Sequence, residues 1–157
     1  MKKIILLSFL YSFPSFAFVD LVMVDKSDNK MYLLSSGKVI KEYHVALGKN
    51  PEGHKEQEGD KRTPEGLYTL DYKKEDSAFY RAMHISYPNE IDLANAKDKG
   101  VSAGGLIMIH GQRNNFEGLP RYTQQSNWTN GCIALTNPEI DEFMSLVDVG
   151  TQIHIKW

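Results

Sequence analysis

One cysteine and five histidines are the residues of this 157-residue chain best suited to covalent or proton-transfer chemistry. Cys132 lies in the run Trp128-Thr129-Asn130-Gly131-Cys132-Ile133-Ala134, and an apolar stretch upstream, Leu106 to Ile109, ends in His110-Gly111. A lone thiol with a histidine on a neighbouring strand is the minimum kit for cysteine acyl transfer. A free thiol has a pKa of about 8.5, so an adjacent imidazole is needed to take its proton or to hold the thiolate near neutral pH. Gly111 lets the His110 ring face open space, and Gly131 lets the backbone turn sharply before the nucleophile. The N–H groups of Asn130, Gly131 and Cys132 could then form an oxyanion hole. The sequence sets no carboxylate as an obvious third member, and a backbone carbonyl could orient His110 instead. A plainer reading stands beside this one. Asn130-Gly131 is a hairpin-turn signal, and a free cysteine is commonly a small buried hydrophobe. Residue types alone leave both open.

Other chemistries find less support. His44, His54, His84, His110 and His154 are scattered without metal-ligand spacing, so no metal is expected. Neither a phosphate-cradling glycine loop nor a Gly-x-Ser-x-Gly elbow occurs, and no organic cofactor is expected. The formal charge of −2 argues against a nucleic-acid partner, which selects for a basic face.

The first 17 residues read as an export signal. Lys2 and Lys3 precede a mostly apolar run, Ile4 to Phe13, and Ser15-Phe16-Ala17 has the small-x-small form of a cleavage site. The alternatives are a buried first strand or a retained anchor, although the run is short for a membrane span. Cleavage after Ala17 leaves residues 18–157 as one catalytic domain, exported to the periplasm or cell envelope, with no stable membrane insertion. A single cysteine cannot form an internal disulfide, and a free thiol in an oxidising compartment is a liability unless it is kept for chemistry.

The elements that must position Cys132 and His110 are largely strands. Phe18 to Val24, Met31 to Leu34 and Val39 to Leu47, separated by turn residues, read as an opening β-meander. Residues 48–66 are glycine-rich, charged and nearly free of aliphatics, which reads as a long functional or mobile loop. Leu67 to Tyr72 and Ala82 to Tyr87 read as strands. Pro88 opens a short helix with Ile91, Leu93 and Ala94 as its apolar residues, closed by Lys99-Gly100. Leu106 to His110 reads as a strand buried on both faces. Asn137 caps a helix to Val147, with Pro138 in its first turn and Ile140, Phe143, Met144 and Val147 on one core-facing side. Thr151 to Trp157 closes the chain as a strand. The sum is a mostly β domain with a few short helices, a β-sandwich or open barrel.

Taken together, these motifs resemble the L,D-transpeptidase catalytic domain (YkuD-type). The resemblance is carried by His110-Gly111, by Thr129-Asn130-Gly131-Cys132, by Thr63-Pro64-Glu65-Gly66 at a strand entry, by Ile85-Ser86-Tyr87-Pro88-Asn89, and by Ala134-Leu135-Thr136-Asn137-Pro138. It implies that Cys132 attacks the carbonyl at the L-centre of diaminopimelate in a peptidoglycan stem tetrapeptide, and that His110 shuttles the protons. The terminal D-residue leaves, and an acceptor amine resolves the thioester. That amine belongs to a second stem peptide, a free D-amino acid or a wall-attached protein; water in its place makes the site a carboxypeptidase or amidase.

The chain departs from the family pattern in places. Asn130 stands where histidine is common before Gly-Cys, so any acid–base role there is lost. Ala134 stands where Arg or Asn is frequent. The loop Gln112 to Trp128 is long and is expected to lid the site. Thr129, Arg62, Arg113, Arg121 and Trp128 are candidate substrate contacts, the arginines because they suit carboxylates. Two other classes compete: a non-catalytic wall binder, and a sortase-like enzyme. The second would be expected to carry an arginine after the cysteine, and residues 133–157 contain none.

Overall fold

The computed structural model describes residues 18–115 and 123–157. The expected export signal, and Arg121 with Tyr122, lie outside the described residues. The elements run β1 (Leu21–Asp25), β2 (Lys30–Ser35), β3 (Lys38–His44), β4 (Gly66–Ser77), β5 (Tyr80–Ile85), α1 (Glu90–Asp98), β6 (Met108–His110), β7 (Ile133–Ala134), α2 (Asn137–Leu146) and β8 (Gln152–Lys156). The strands form one sheet in the order β3-β2-β1-β8-β4-β5-β6-β7.

The meander exists as expected: β1, β2 and β3 pair antiparallel, and their alternation sends Val22, Val24, Met31 and Leu33 inward. β8 returns to lie parallel to β1 and adds Ile153 and Ile155 to the same core. The two strands at the ends of the order are then drawn together. After His44 the chain leaves β3 as Val45-Ala46-Leu47, all fully buried, and Ala46 pairs with Ala134 of β7 through two backbone hydrogen bonds of 3.0 and 2.8 Å. A second bridge joins Gly48 to Thr129. The sheet therefore curls into an open barrel, and Cys132 lies on its seam.

Loop 48–66 is held from beneath by Lys26, which is 1% exposed. Its ammonium donates to the carbonyls of Gly53 and Thr63 and to the Glu65 carboxylate at 2.8–2.9 Å. Burial pulls its pKa down, and the Glu65 carboxylate opposes that pull. A buried charge persists only with such full pairing.

Several expectations need correction. The strand expected from Leu106 begins only at Met108, because Leu106 adopts a left-handed φ of 53°. β4 runs to Ser77, beyond the expected Tyr72, since charged Lys73 to Asp76 continue as an exposed ribbon paired with β5. Ile91 and Leu93 of α1 are exposed, and the helix buries Asp92 instead. That carboxylate accepts from the Tyr68 hydroxyl at 3.1 Å and the Asn89 N–H at 2.9 Å, and pairs with His54 Nε2 at 3.0 Å. Thr136, not Asn137, caps α2, with its N–H and hydroxyl both donating to Glu139. Ile140, Phe143, Met144 and Val147 are buried as their spacing requires.

Candidate active site

β6 and β7 are parallel neighbours, with His110 paired to Ala134. Cys132 lies two residues before Ala134, and side chains two apart share a face. His110 and Cys132 therefore share one cavity of about 500 Å³, whose other described lining residues are Lys49, Phe79, Gln112, Arg113, Thr123, Trp128, Thr129 and Asn130.

The imidazole is fixed in position and tautomer. His110 Nδ1 lies 2.7 Å from the Gly111 carbonyl oxygen. A carbonyl only accepts, so Nδ1 carries the hydrogen and Nε2 keeps the lone pair of the neutral ring. Phe79, from the β4–β5 turn, packs 4.5 Å from the ring centroid, and Trp128 meets it edge-on at 5.7 Å. Burial pulls the His110 pKa below the usual histidine value, partly offset by the Gly111 carbonyl.

Burial pushes the Cys132 pKa up, while a Met108 backbone hydrogen bond and the Lys55 ammonium pull the other way. Its Sγ donates to the Leu106 carbonyl at 3.7 Å. Burial thus favours the uncharged thiol and the uncharged imidazole over a thiolate–imidazolium pair.

Thr129 braces the nucleophile turn from both sides. Its hydroxyl donates to the Cys132 carbonyl at 2.7 Å and accepts from the Gly131 N–H at 3.1 Å. The Gly131 N–H, one of the three expected for an oxyanion hole, is thereby engaged by Thr129. Gly131 holds φ 134°, and a Cβ there would meet the Arg62 carbonyl oxygen at 2.7 Å. Gly111 is equally confined, with Asn137 Oδ1 at 2.7 Å from where a Cβ would sit.

Of the residues singled out from sequence, His110, Cys132, Thr129, Asn130, Arg113 and Trp128 meet at the cavity. Arg62 does not line it. Its Nη1 donates to the His54 carbonyl at 3.4 Å, and its Nε is buried without a partner. Gln112 and Thr123, from the loop expected to lid the site, also line the cavity, and Phe79 and Lys49 line it without having been singled out. Phe79 carries no sequence signal at all, whereas Lys49 lies in the loop already marked as functional.

Behind the cavity the missing polar side chain at Ala134 is replaced by backbone contacts. Gln124, 5% exposed, donates to the Ala134 carbonyl at 2.7 Å and accepts from Gln112 and from Trp128 Nε1. His44 Nε2 meets the Gln124 carbonyl at 2.9 Å. This network seats Trp128 against His110. Among the described residues no group of three or more His, Cys, Asp or Glu could hold a metal, and no helix is long and apolar enough to cross a membrane.

Comparison with known proteins gives the class of this mostly β domain. Residues 20–155 match the L,D-transpeptidase catalytic domain, YkuD. The chain belongs to that family. It is 32% identical over 124 residues to YafK of Escherichia coli (strain K12), a protein named with the L,D-transpeptidases, covering 78% of this chain and 40% of YafK. The crystal structure of the helical cell shape determining protein Pgp2 from Campylobacter jejuni superposes with a TM-score of 0.65 at 29% identity, covering 88% of this chain and 47% of Pgp2. An Enterococcus faecium L,D-transpeptidase shares the fold at a TM-score of 0.58 and 18% identity, with 88% and 50% covered. The chain thus spans less than half the length of YafK and Pgp2.

Proposed function

We propose that the chain is a cysteine L,D-transpeptidase acting on peptidoglycan stem tetrapeptides through a thioester. The observation that supports this reading best is the shared cavity of Cys132 and His110, with Nδ1 held by the Gly111 carbonyl. Fixing Nδ1–H aims the basic Nε2 at the chemistry, the role a third residue has in other triads.

In the first step Cys132 Sγ bonds to the carbonyl carbon at the L-centre of diaminopimelate as its proton passes to His110 Nε2. The Cys132 and Asn130 N–H groups stabilise the oxyanion. The C–N bond then breaks, and the leaving amine takes the proton from His110. In the second step the acceptor amine attacks the thioester carbon and gives its proton to His110. The C–S bond breaks, and the thiol recovers its proton. Burial favours the neutral thiol and imidazole, so proton transfer accompanies attack in this mechanism. Export to the periplasm or envelope, a wall-attached protein as acceptor, and a part in cell shape, the property named for the Campylobacter jejuni relative, belong to this same proposal.

The test is the intact mass of the protein after mixing with a disaccharide-tetrapeptide, read beside the soluble products. A mass gain that disappears in Cys132→Ala, with release of the terminal D-amino acid, is the expected result. Dimer products mean transpeptidation, and tripeptide alone means hydrolysis at the same site. No adduct and no product would overturn the reading.

A further inference from the structure

The described lining of the cavity contains two cations, Lys49 and Arg113, and no carboxylate. Neither cation is paired with a described carboxylate. By contrast Lys26, Lys55 and Lys99, on or near the adjoining loop, each have one. The two come from different segments of the chain and both line the cavity that holds Cys132 and His110. Gly48 bridges to Thr129, and the Lys49 N–H donates to the Thr129 carbonyl at 3.0 Å. Thr129 in turn holds the Cys132 carbonyl. Arg113 follows His110-Gly111-Gln112 in the chain. Its backbone is tied down on both flanks, by Gln112 N–H to Asn137 Oδ1 at 2.8 Å and Asn114 N–H to the Ala78 carbonyl at 3.0 Å.

Both side chains are solvent-exposed at their chain positions, and an exposed cation needs no partner while the site is empty. A carboxylate entering beside the aromatic wall of Phe79 and Trp128 loses water, and there a cation contact is worth more than at open surface. The described charges of the cavity lining therefore suit an anionic guest.

We propose that Lys49 and Arg113 select the donor by two carboxylates, the terminal one on the departing D-residue and the one on the diaminopimelate side chain. The selection rests on the donor assignment made above. It makes amidated peptides poor donors, and it adds Lys49, a residue outside the family motif, to the specificity-determining set.

The test is calorimetric binding to the Cys132→Ala protein, which cannot turn over. The two probes are the free-acid tetrapeptide and the same peptide with both carboxylates amidated. The acid should bind at least roughly tenfold more tightly, in keeping with a charge-assisted hydrogen bond. Lys49→Gln and Arg113→Gln, each added to that protein, should lower acid affinity about tenfold while leaving amide affinity unchanged. Equal binding of acid and amide, parallel weakening of both in the variants, or binding of neither overturns the proposal. Turnover by the unmodified protein separates the two readings. Equal processing of acid and amide overturns carboxylate selection and keeps the thioester route. Binding of the acid without turnover keeps the selection and overturns the route.

Discussion

Cys132 Sγ lies 3.7 Å from the carbonyl oxygen of Leu106, a residue held at a left-handed φ of 53°. That conformation is costly for a leucine, and it turns the Leu106 carbonyl toward the thiol. A neutral acceptor of this kind favours S–H over S⁻. It acts in the same direction as burial, which raises the Cys132 pKa and lowers that of His110.

The first prediction concerns that thiol. Alkylation of Cys132 by iodoacetamide should be slow near neutral pH and should climb only as pH rises past the ordinary thiol value. The sign follows from the raised pKa: the thiolate fraction grows above the usual titration range, not below it. A plateau already reached near neutral pH, and lost in His110→Ala, would mean a preformed thiolate–imidazolium pair and would refute the neutral resting state.

Gly131→Ala should cripple the site. The new methyl meets the Arg62 carbonyl oxygen at 2.7 Å and Ile107 Cδ1 at 3.2 Å, at a φ of 134° that alanine rarely adopts. Overpacking of this type costs about 1–3 kcal/mol before the backbone strain is added. A lower urea midpoint together with slower acylation is expected. Wild-type stability and rate would show that the Lys61-Arg62 backbone yields freely.

Lys26→Met tests the support beneath loop 48–66. Removing the ammonium strands the Thr63 and Gly53 carbonyls and leaves Glu65 unpaired, and breaking a buried pair in this way costs about 3 kcal/mol. Urea denaturation measures it directly; a change within experimental error would mean that the loop does not depend on this contact.

Acid should loosen the same loop through Asp60. Burial raises its carboxyl pKa. The Lys55 ammonium and the N–H groups of Arg62, Glu56 and Gln57 more than reverse this, so the net direction is downward. A lowered folded pKa contributes stability that is fully present above the unfolded carboxylate value, about 3.9, and is lost as pH falls through the folded value. An NMR titration of Asp60 should give a midpoint below that of a model aspartate. A midpoint at or above it contradicts the network.

The sequence was most informative where local periodicity and burial agree. The α2 stripe of Ile140, Phe143, Met144 and Val147 was readable from its helical spacing, and β1 and β2 from short apolar runs bounded by turn residues, although Leu21, Met23, Tyr32 and Leu34 lie on the less buried face. The nucleophile turn and His110 stood out by residue type and order. What stayed hidden depends on distant chemistry. Asp92 displaces Ile91 and Leu93 from the interior because Tyr68, Asn89 and His54 converge on it, and no local pattern encodes that meeting. Phe79 reaches the His110 ring from the short Ala78-Phe79 turn after the charged Lys73–Asp76 stretch, and nothing local marks it as a partner of His110. The cap of α2 moved by one residue because Asn137 accepts the Gln112 N–H instead.

The bridge between Ala46 and Ala134 has a kinetic consequence. It joins segments far apart in the chain, and contacts of large sequence separation are late and entropically expensive to form. β7 spans only two residues and is otherwise held by its pairing with β6 and by Gln124, so we expect the turn bearing Cys132 to belong to the part of the molecule closed last during folding and opened first under stress. Alkylation of Cys132 should therefore run ahead of global melting: in rising urea the Cys132 turn loses its geometry while most of the sheet is still intact.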